Sequence, residues 1–266
     1  MDNSNTTILV IDAGNTNTVL GLYQGASLRA LWRLATRREQ TADEYGILIH
    51  NLFALERLPA SAICGIMIAS VVPPMNAVLA EMARKYFKME PLFLGPGTRT
   101  GMAILVENPH EVGADRIADA VAAYEKYGGP CIVVDFGTAI TFDAISQKGE
   151  YLGGVIMPGI GIGAEALFQR TAKLPHVEIR EPDRVIGTNT INSIQSGLFY
   201  GAVDAVDGML DRLCAVLGKQ TKVIATGGQA PLVAGSSKYK PSIDSSLTLD
   251  GLRIIYYINH SATRRK

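Results

Sequence analysis

Cysteine and tryptophan are scarce in this chain, which contains three cysteines and one tryptophan among 266 residues. Cys64, Cys131 and Cys214 form no C-x-x-C pair, and none of them is close in sequence to a histidine. The clustered spacing of a zinc site is therefore missing. Scattered single cysteines are typical of proteins from a reducing compartment. We expect a cytoplasmic protein without a disulfide framework.

An excess of charge is also missing, because Lys and Arg number 25, as do Asp and Glu, and the net charge is +0. A neutral chain has no general attraction for nucleic acid or for an anionic membrane surface. No apolar run reaches the roughly 18 residues of a membrane span. Residues 1–4 lack the basic segment that opens a secretory signal. The sequence predicts neither a nucleic-acid partner nor a membrane partner.

What remains is the composition of a compact globular protein, with 47% hydrophobic and 19% charged residues. This balance excludes a disordered chain, and the 27 glycines follow no collagen-like repeat. A length of 266 residues is enough for one large domain or two modest ones.

Strand and helix patterns alternate through the first half of the chain. Thr41 and Glu44 form a capping box before apolar residues that recur at helical spacing. Ile63–Val72 has the pattern of a buried strand, which we expect to end at Pro73-Pro74, and Ala77–Tyr86 has the pattern of a helix. These segments predict an α/β protein.

A domain boundary is expected near Gly128, where Gly128-Gly129-Pro130 ends a helix predicted from Gly113 onward. The apolar strand Cys131–Val134 follows at once. The sequence therefore predicts an N-terminal lobe at residues 1–128 and a C-terminal lobe at residues 129–266.

The opening of the chain is repeated in the second half. Asp12, Gly14 and Thr18 follow an apolar strand, and the same three residue types recur 123 positions later as Asp135, Gly137 and Thr141. Each copy predicts a strand, a polar turn and a second strand. Two such units, one in each half of the chain, suggest two similar lobes facing each other across a cleft.

A turn rich in Gly, Asn and Thr suits a polyphosphate, because it exposes backbone N–H groups and hydroxyls without bulky side chains. Asp12 at the end of the strand could hold Mg²⁺ beside phosphate oxygens. A polar hairpin that satisfies only its own backbone is the alternative for one turn. The second copy favours the nucleotide interpretation.

Two other glycine-rich segments are less specific. Thr226-Gly227-Gly228 follows an apolar run and could lie against a nucleotide or form a plain strand-to-helix turn. Gly159–Ala166 contains G-x-G-x-x-A, which is a dinucleotide pattern, but no clean strand precedes it and no acidic strand end follows at the required distance. An oxidoreductase is thus a weak alternative. The P-loop pattern G-x-x-x-x-G-K-[ST] is absent.

Five segments in register resemble the type III pantothenate kinase family, within the superfamily of acetate kinase, sugar kinases, Hsp70 and actin. They are Asp12–Thr18, Gly113–Arg116, Asp135–Ala139, Gly153–Gly159 and Thr226–Gly228. The resemblance runs in order from about Ile8 to Leu252. It implies a duplicated actin-like ATPase (ribonuclease H-like) fold, a homodimer, and ATP-dependent phosphorylation of pantothenate, the first step of coenzyme A synthesis.

The resemblance also implies roles for individual residues. Asp115 is the proton acceptor, and the family uses Mg²⁺ with ATP and a monovalent cation, K⁺ or NH₄⁺, whose matching ligand is Asp135. The residues that match the ATP site are Asp12, Ala13, Gly14, Asn15, Thr16, Asn17, Thr18, Val19 and Thr138. The residues that match the pantothenate site are Gly113, Ala114, Asp115, Arg116 and Thr190.

These residue types suit the chemistry, but each has a simpler interpretation. A carboxylate can accept the proton of a primary alcohol during phosphoryl transfer, and an arginine can pair with the carboxylate of pantothenate. Asp115 could instead cap its helix, Asp135 could accept backbone N–H groups of its own turn, and Thr190 could be a helix N-cap. A non-catalytic nucleotide-binding regulator on the same scaffold is a further alternative.

One position departs from the family pattern. Members usually have a tyrosine before the Asn-Pro step upstream of the aspartate motif, where this chain has Val106, Glu107, Asn108 and Pro109. Val106 has no hydroxyl and a smaller apolar surface. We expect a changed pocket with weaker binding of pantothenate or, as an alternative, a different alcohol.

Overall fold

A computed structural model describes residues 6–263, with side chains described through His260. The prediction that was drawn from residues 1–4 lies outside the described residues. The chain divides into two compact units. The first unit contains the chain up to Met102, Glu107–Ala122 and the segment from Leu247 onward, and the second unit contains Ala103–Val106 and Ala123–Ser246.

Each unit contains one mixed β-sheet. The sheet of the first unit has the strand order β3-β2-β1-β4-β5. Its strands are β1 Thr7–Ala13, β2 Asn17–Gln24, β3 Ser27–Ala35, β4 Ile63–Ser70 and β5 Leu92–Phe93. The sheet of the second unit has the order β11-β10-β7-β8-β9-β6. Its strands are β6 Ala103–Ile104, β7 Cys131–Phe136, β8 Ala139–Ile145, β9 Glu150–Pro158, β10 Lys222–Thr226 and β11 Ser242–Ile243.

Seven α-helices accompany these strands in the described chain. They are α1 Ala42–Leu55, α2 Pro73–Met82, α3 Ala114–Tyr127, α4 Ile160–Arg170, α5 Thr190–Leu217, α6 Ala230–Val233 and α7 Leu247–Thr263. The predicted capping box of α1 is present, because Glu44 N–H donates to Thr41 Oγ1 at 3.3 Å and Thr41 N–H donates to Glu44 Oε2 at 2.7 Å. Within residues 6–263, no helix is both long and apolar enough to span a membrane.

The duplication that the sequence predicted is visible in the topology. In the first unit β1 pairs antiparallel with β2 and parallel with β4, and in the second unit β7 pairs antiparallel with β8 and parallel with β10. The outer strands repeat the same pattern, and β6 is added to the second sheet alone. The mixed α/β fold with two similar units is therefore confirmed.

The hydrophobic core of each unit lies on its own sheet. In the first unit the completely buried residues Leu9, Ile11 and Ile68 pack with Tyr45 and Phe53 from α1. The core of the second unit is built in the same way, from β7 and β8 against α5. Burial of these apolar strands provides the main stabilisation of each sheet.

The division of the chain differs from the predicted boundary at residue 128. Helix α7 packs on β1, β2 and β4 and so belongs to the first unit, although it comes last in the chain. Its residues Leu249, Leu252 and Ile255 are buried there. The sequence pattern of α7 does not say which sheet its apolar face covers, so a boundary drawn by chain position assigns it to the wrong unit.

The interpretation of Pro73-Pro74 as the end of a strand is incomplete. Strand β4 ends at Ser70, and the two prolines are the first residues of α2. A proline is favourable in the first turn of a helix, because the N–H that it lacks would have no helical partner there. The helix predicted from Ala77 therefore begins one turn earlier.

Candidate active site

The turn between β1 and β2 has the open backbone that the sequence predicted. Asp12 is half-buried near the end of β1, Asn15 and Thr16 at the tip are exposed, and Thr18 is fully buried. The N–H of Gly14 donates to the carbonyl of Asn17 at 3.0 Å and closes the turn. We call residues 12–19 the nucleotide turn. Ala13 is buried and Val19 half-buried, so the tip is the most exposed part of the turn.

The segment Gly113–Arg116 opens helix α3, and Asp115 lies in its first turn. Asp115 Oδ1 accepts the N–H of Arg116 at 2.8 Å. A Cβ on Gly113 would lie 2.5 Å from Asp115 Oδ1, so a side chain at this position would force the Asp115 carboxylate to move. Ala114 and Arg116 are half-buried beside them.

Burial raises the pKa of the Asp115 carboxyl above its ordinary value, and the Arg116 N–H and the Arg116 charge oppose this rise. A carboxylate that is desolvated in this way holds a proton more tightly than an exposed one. Asp115 is therefore better suited to accept a proton from an alcohol than an ordinary surface aspartate.

Val71 links this segment to the nucleotide turn inside the first unit. Its N–H donates to the carbonyl of Ala13 at 3.1 Å. Its Cγ1 would be 3.6 Å from a Cβ placed on Gly113. Val71, which follows β4, is therefore next to a residue of each group. No pattern in the sequence identified Val71 as the residue between them.

In the second unit Asp135 lies against Gly227, for which the sequence left a nucleotide contact and a plain strand-to-helix turn open. Gly227 has a φ of +90°, and a Cβ there would be 2.2 Å from Asp135 Oδ1. Gly137 approaches the same carboxylate, since its Cβ would lie 3.5 Å from Oδ2. Thr141 is directly opposite Asp135, and its buried Oγ1 has no hydrogen-bond partner among the described residues. Asp135 and Thr141 therefore offer side-chain oxygens from paired positions of β7 and β8.

The threonines of the two repeats are not equivalent. In the first hairpin Asp12 lies opposite Val19 and Thr18 opposite Ala13, whereas in the second Asp135 lies opposite Thr141. Opposed residues of antiparallel strands share a face of the sheet, so only the second threonine is on the same face as its aspartate. The cause is the turn length. The N–H of Gly14 donates to Asn17 O, three residues on, whereas the N–H of Gly137 donates to Ala139 O, two residues on.

The exposed Thr138 lies beside the start of helix α4. Gly159 N–H donates to the carbonyl of Thr138 at 3.1 Å. A Cβ on Gly159 would be 2.2 Å from Thr138 O and 2.7 Å from Gly137 O. Glycine therefore lets the first amides of α4 approach the turn, where amides and a hydroxyl suit a phosphate.

Thr190 is the first residue of α5, and the N-cap is the preceding residue. Asn189 Oδ1 accepts the N–H of Asn192 at 2.8 Å, so the alternative of Thr190 as the cap is wrong. Thr190 instead lines a groove of about 700 Å³ with Leu167, Leu198 and Ser193. Its size and mixed lining suit a small polar molecule with an apolar part.

Val106 lies at the edge of the second sheet. Leu105 N–H donates to Tyr151 O at 2.8 Å, and Val106 Cγ1 would be 3.6 Å from a Cβ on Gly153. Val106 is half-buried. Part of its side chain is therefore open to solvent.

The matches to known proteins decide the family. Residues 8–212 match the model of the type III pantothenate kinase family. The chain belongs to this family. It is 55% identical to the type III pantothenate kinase of Koribacter versatilis, over 97% of this chain and 98% of the relative. It is 53% identical to that of Myxococcus xanthus, over 96% of this chain and 100% of the relative.

Solved structures show the same fold at low identity. One is a Baf family transcriptional activator from Campylobacter jejuni, with a TM-score of 0.61 and 21% identity over 95% of this chain and 99% of that one. Another is component A of the (R)-2-hydroxyglutaryl-CoA dehydratase of Acidaminococcus fermentans, with a TM-score of 0.59 and 12% identity over 97% of this chain and 100% of that one. These likenesses concern the actin-like ATPase fold, which this type III pantothenate kinase shares.

The oxidoreductase alternative has no support in this kinase. The G-x-G-x-x-A segment does follow a strand, β9, directly, which the sequence did not predict. However, β9 runs antiparallel to β8, and the next strand comes only after the 28-residue helix α5. A dinucleotide fold needs a short parallel βαβ unit at this point.

A kinase of this family uses ATP with a divalent metal ion. The described residues contain no group of three or more His, Cys, Asp or Glu side chains that could hold a metal ion by themselves. Asp12 can nevertheless supply one carboxylate, which fits Mg²⁺ because this ion takes its remaining oxygens from phosphates and water. The donor set of the first unit thus fits a metal that arrives with the nucleotide.

Proposed function

We propose that this chain transfers the terminal phosphoryl group of ATP to the primary hydroxyl of pantothenate, giving 4′-phosphopantothenate, the first step of coenzyme A biosynthesis. The observation that carries the proposal is Asp115, a desolvated carboxyl at the start of α3, linked through Val71 to the nucleotide turn. Membership of the type III pantothenate kinase family supports the choice of substrates.

The nucleotide turn, from Asp12 to Val19, and Thr138 are the proposed contacts to ATP. The support for the turn is its exposed Gly-Asn-Thr tip, and the support for Thr138 is its exposed position beside the first amides of α4. Backbone amides in such turns neutralise phosphate charge without having to reorganise during the reaction.

Gly113–Arg116 and Thr190 are the proposed contacts to pantothenate. The Arg116 guanidinium can pair with a planar carboxylate through two parallel N–H donors. Asp115 accepts the proton of the hydroxyl as the new bond to phosphorus forms. Positioning and charge neutralisation supply the rest of the rate enhancement, as is usual in phosphoryl transfer.

Two cations belong to this proposal. Mg²⁺, bound by ATP and Asp12, would neutralise charge on the phosphates. K⁺ or NH₄⁺ would be held at Asp135, where the carboxylate, the neighbouring glycine backbone and the partnerless Thr141 Oγ1 offer oxygens of the kind such ions bind. The Asp135 site fits a weakly hydrated cation, because its donors are oxygens without a clustered charge.

The assembly and the compartment are part of the proposal as well. We propose a homodimer, supported by exposed apolar side chains on the second unit. We also propose a cytoplasmic location, since both ATP supply and unpaired cysteines fit a reducing, nucleotide-rich compartment.

The decisive experiment is replacement of the proposed base. Asp115→Asn keeps the side-chain shape but removes the proton acceptor, so we expect kcat to fall by about 10²- to 10⁴-fold. Pantothenate-dependent ADP release by the purified enzyme measures this, in K⁺ and in Na⁺ buffers. Asp204→Asn, an exposed aspartate on α5, is the matched control. Full activity of Asp115→Asn would overturn the assignment.

The raised pKa of Asp115 predicts the acid limb of the pH profile. The carboxyl must be ionised to accept a proton, so kcat/KM should fall as the pH drops through a value above the ordinary aspartate pKa of about 3.9.

An ionised buried carboxyl also destabilises the fold at neutral pH, and this cost vanishes where the group is protonated in both folded and unfolded chains. Asp115→Asn should therefore unfold at a higher temperature than wild type at pH 7, but not in acid.

A further inference from the structure

The connection between β3 and α1 contacts every residue at the tip of the nucleotide turn. The N–H of Thr36 donates to Thr16 O at 3.0 Å, and Thr36 Oγ1 donates to Gly14 O at 2.7 Å. Arg38 Nη2 donates to Asn15 Oδ1 at 3.4 Å. The segment Thr36–Arg38 therefore forms one side of the turn, although it lies outside residues 12–19.

The hydroxyl groups around this turn have a fixed order. Thr36 has one hydroxyl proton and gives it to Gly14 O. The Thr18 hydroxyl, 2.9 Å from that of Thr36, must then be the donor of the bond between them. Thr18 is 0% exposed, so water does not compete for its hydroxyl. The result is a directed chain from Thr18 through Thr36 to Gly14, whose bonds strengthen one another.

This chain sets the orientation of one peptide group. In the described chain the only cis peptide bond is Gly129-Pro130, so the Gly14-Asn15 peptide is trans. The C=O and N–H of a trans peptide point in opposite directions. Holding Gly14 O on Thr36 thus turns the Asn15 N–H away from Thr36, at the exposed tip of the turn. An N–H fixed in this way is ready for a phosphate oxygen.

Arg38 adds charge at the same tip. Its guanidinium is exposed and held beside Asn15. The chain as a whole is neutral, so attraction for a polyphosphate has to come from local cations. A guanidinium with parallel N–H donors fits phosphate oxygens particularly well.

We propose that Thr36 is a positioning residue for the nucleotide turn and that Arg38 contacts the outer phosphates of ATP. The inference rests on the proposed function, because it assumes that this turn binds ATP. It adds two residues that neither the internal repeat nor the family resemblance identified.

The test of Thr36 is the isosteric change Thr36→Val, which removes the hydroxyl and keeps the side-chain volume. We expect the KM for ATP to rise about three- to tenfold, as for loss of one or two hydrogen bonds, with the KM for pantothenate unchanged. Thr36→Ser should restore the wild-type value. The control is Thr98→Val, which loses a hydroxyl bond of 2.9 Å to Phe93 O away from the turn. Equal KM values for ATP in the two valine variants would overturn the role of Thr36.

The test of Arg38 compares nucleotides with different numbers of phosphates. Titration calorimetry of Arg38→Gln should show the largest loss of affinity for ATP, a smaller loss for ADP and the smallest for AMP. Arg29→Gln, an exposed arginine at the other end of β3, is the control and should bind all three as wild type does. Equal losses for the three nucleotides, or no loss, would overturn the role of Arg38.

The wild-type enzyme distinguishes a failure of the proposed function from a failure of this inference. A wild-type enzyme that binds no ATP overturns the proposed function and this inference together. A wild-type enzyme that phosphorylates pantothenate, while Thr36→Val and Arg38→Gln match their controls, overturns the inference alone.

Discussion

At the scale of single residues, Val106 is the position where we expect, from the sequence, a departure from the family pattern. It is half-buried beside Gly153 at the edge of the second sheet. Val106→Tyr adds an aromatic surface and a hydroxyl, so we expect a lower KM for pantothenate with the KM for ATP unchanged. Steady-state kinetics with each substrate varied in turn measure this effect.

The neighbouring change Leu105→Tyr controls for the mere addition of an aromatic ring, because Leu105 is also exposed at this edge. An equal fall of the KM for pantothenate in both variants would show that position 106 has no special role. An unchanged KM for pantothenate in Val106→Tyr would show that the missing tyrosine does not weaken pantothenate binding.

Single residues also show which contacts could not be predicted from the sequence. The position of Asp115 followed from its motif, but its desolvation depends on groups that pack around it in the folded protein. Thr36 could not be found at all, because its bond to Gly14 spans 22 positions and depends on how β2 pairs with β3. A motif contains residues that are neighbours along the chain, whereas the contact between Thr36 and Gly14 depends on the register in which the strands pair.

At the scale of elements, the sequence predicted the two hairpins and the capped helix α1, since each has a short-range signal. It did not predict that the second hairpin turns one residue earlier. Matching residue types at equal spacing show that the two turns have the same order of residues. They do not show on which face of the sheet each side chain lies. The start of α2 at Pro73 was missed for a similar reason, because proline ends strands and begins helices alike.

The turn after β10 gives a prediction at this scale. Gly227→Ala would put a Cβ 2.2 Å from Asp135 Oδ1 at a φ of +90°. We expect a loss of about 1–3 kcal/mol of stability and a weaker dependence of activity on K⁺, because the Asp135 carboxylate must move. Thermal unfolding and a K⁺ titration of the rate measure the two effects.

The control is Gly201→Ala in α5, where an added Cβ meets no atom within 4 Å. Alanine is the better helix former by about 1 kcal/mol, so this variant should be as stable as wild type or more so. A Gly227→Ala enzyme with wild-type stability and K⁺ response would contradict the close packing of Gly227 on Asp135.

At the scale of the whole molecule, the proposed homodimer has a candidate surface on the second unit. Large apolar side chains are exposed on β9, α4 and the start of α5, namely Ile156, Ile162, Leu167, Phe168 and Ile191. We propose that these side chains form one apolar patch, because such patches mark interaction sites in soluble proteins. We expect the wild type to sediment at twice its chain mass of 28.5 kDa and Phe168→Glu to sediment at 28.5 kDa.

Leu55→Glu, at a 79% exposed position on α1 of the first unit, is the matched control and should remain dimeric. A wild-type enzyme of 28.5 kDa would contradict the dimer itself. A Phe168→Glu enzyme that stays dimeric would place the interface elsewhere.

The assignment of α7 to the first unit has a consequence for how the protein is made. The strands that α7 covers, β1, β2 and β4, are translated long before the helix that buries them. Domains usually fold as units during synthesis, the N-terminal one first. We therefore expect the nascent first unit to have apolar sheet surface uncovered until α7 is made, whereas every residue of the second unit is synthesised earlier than α7.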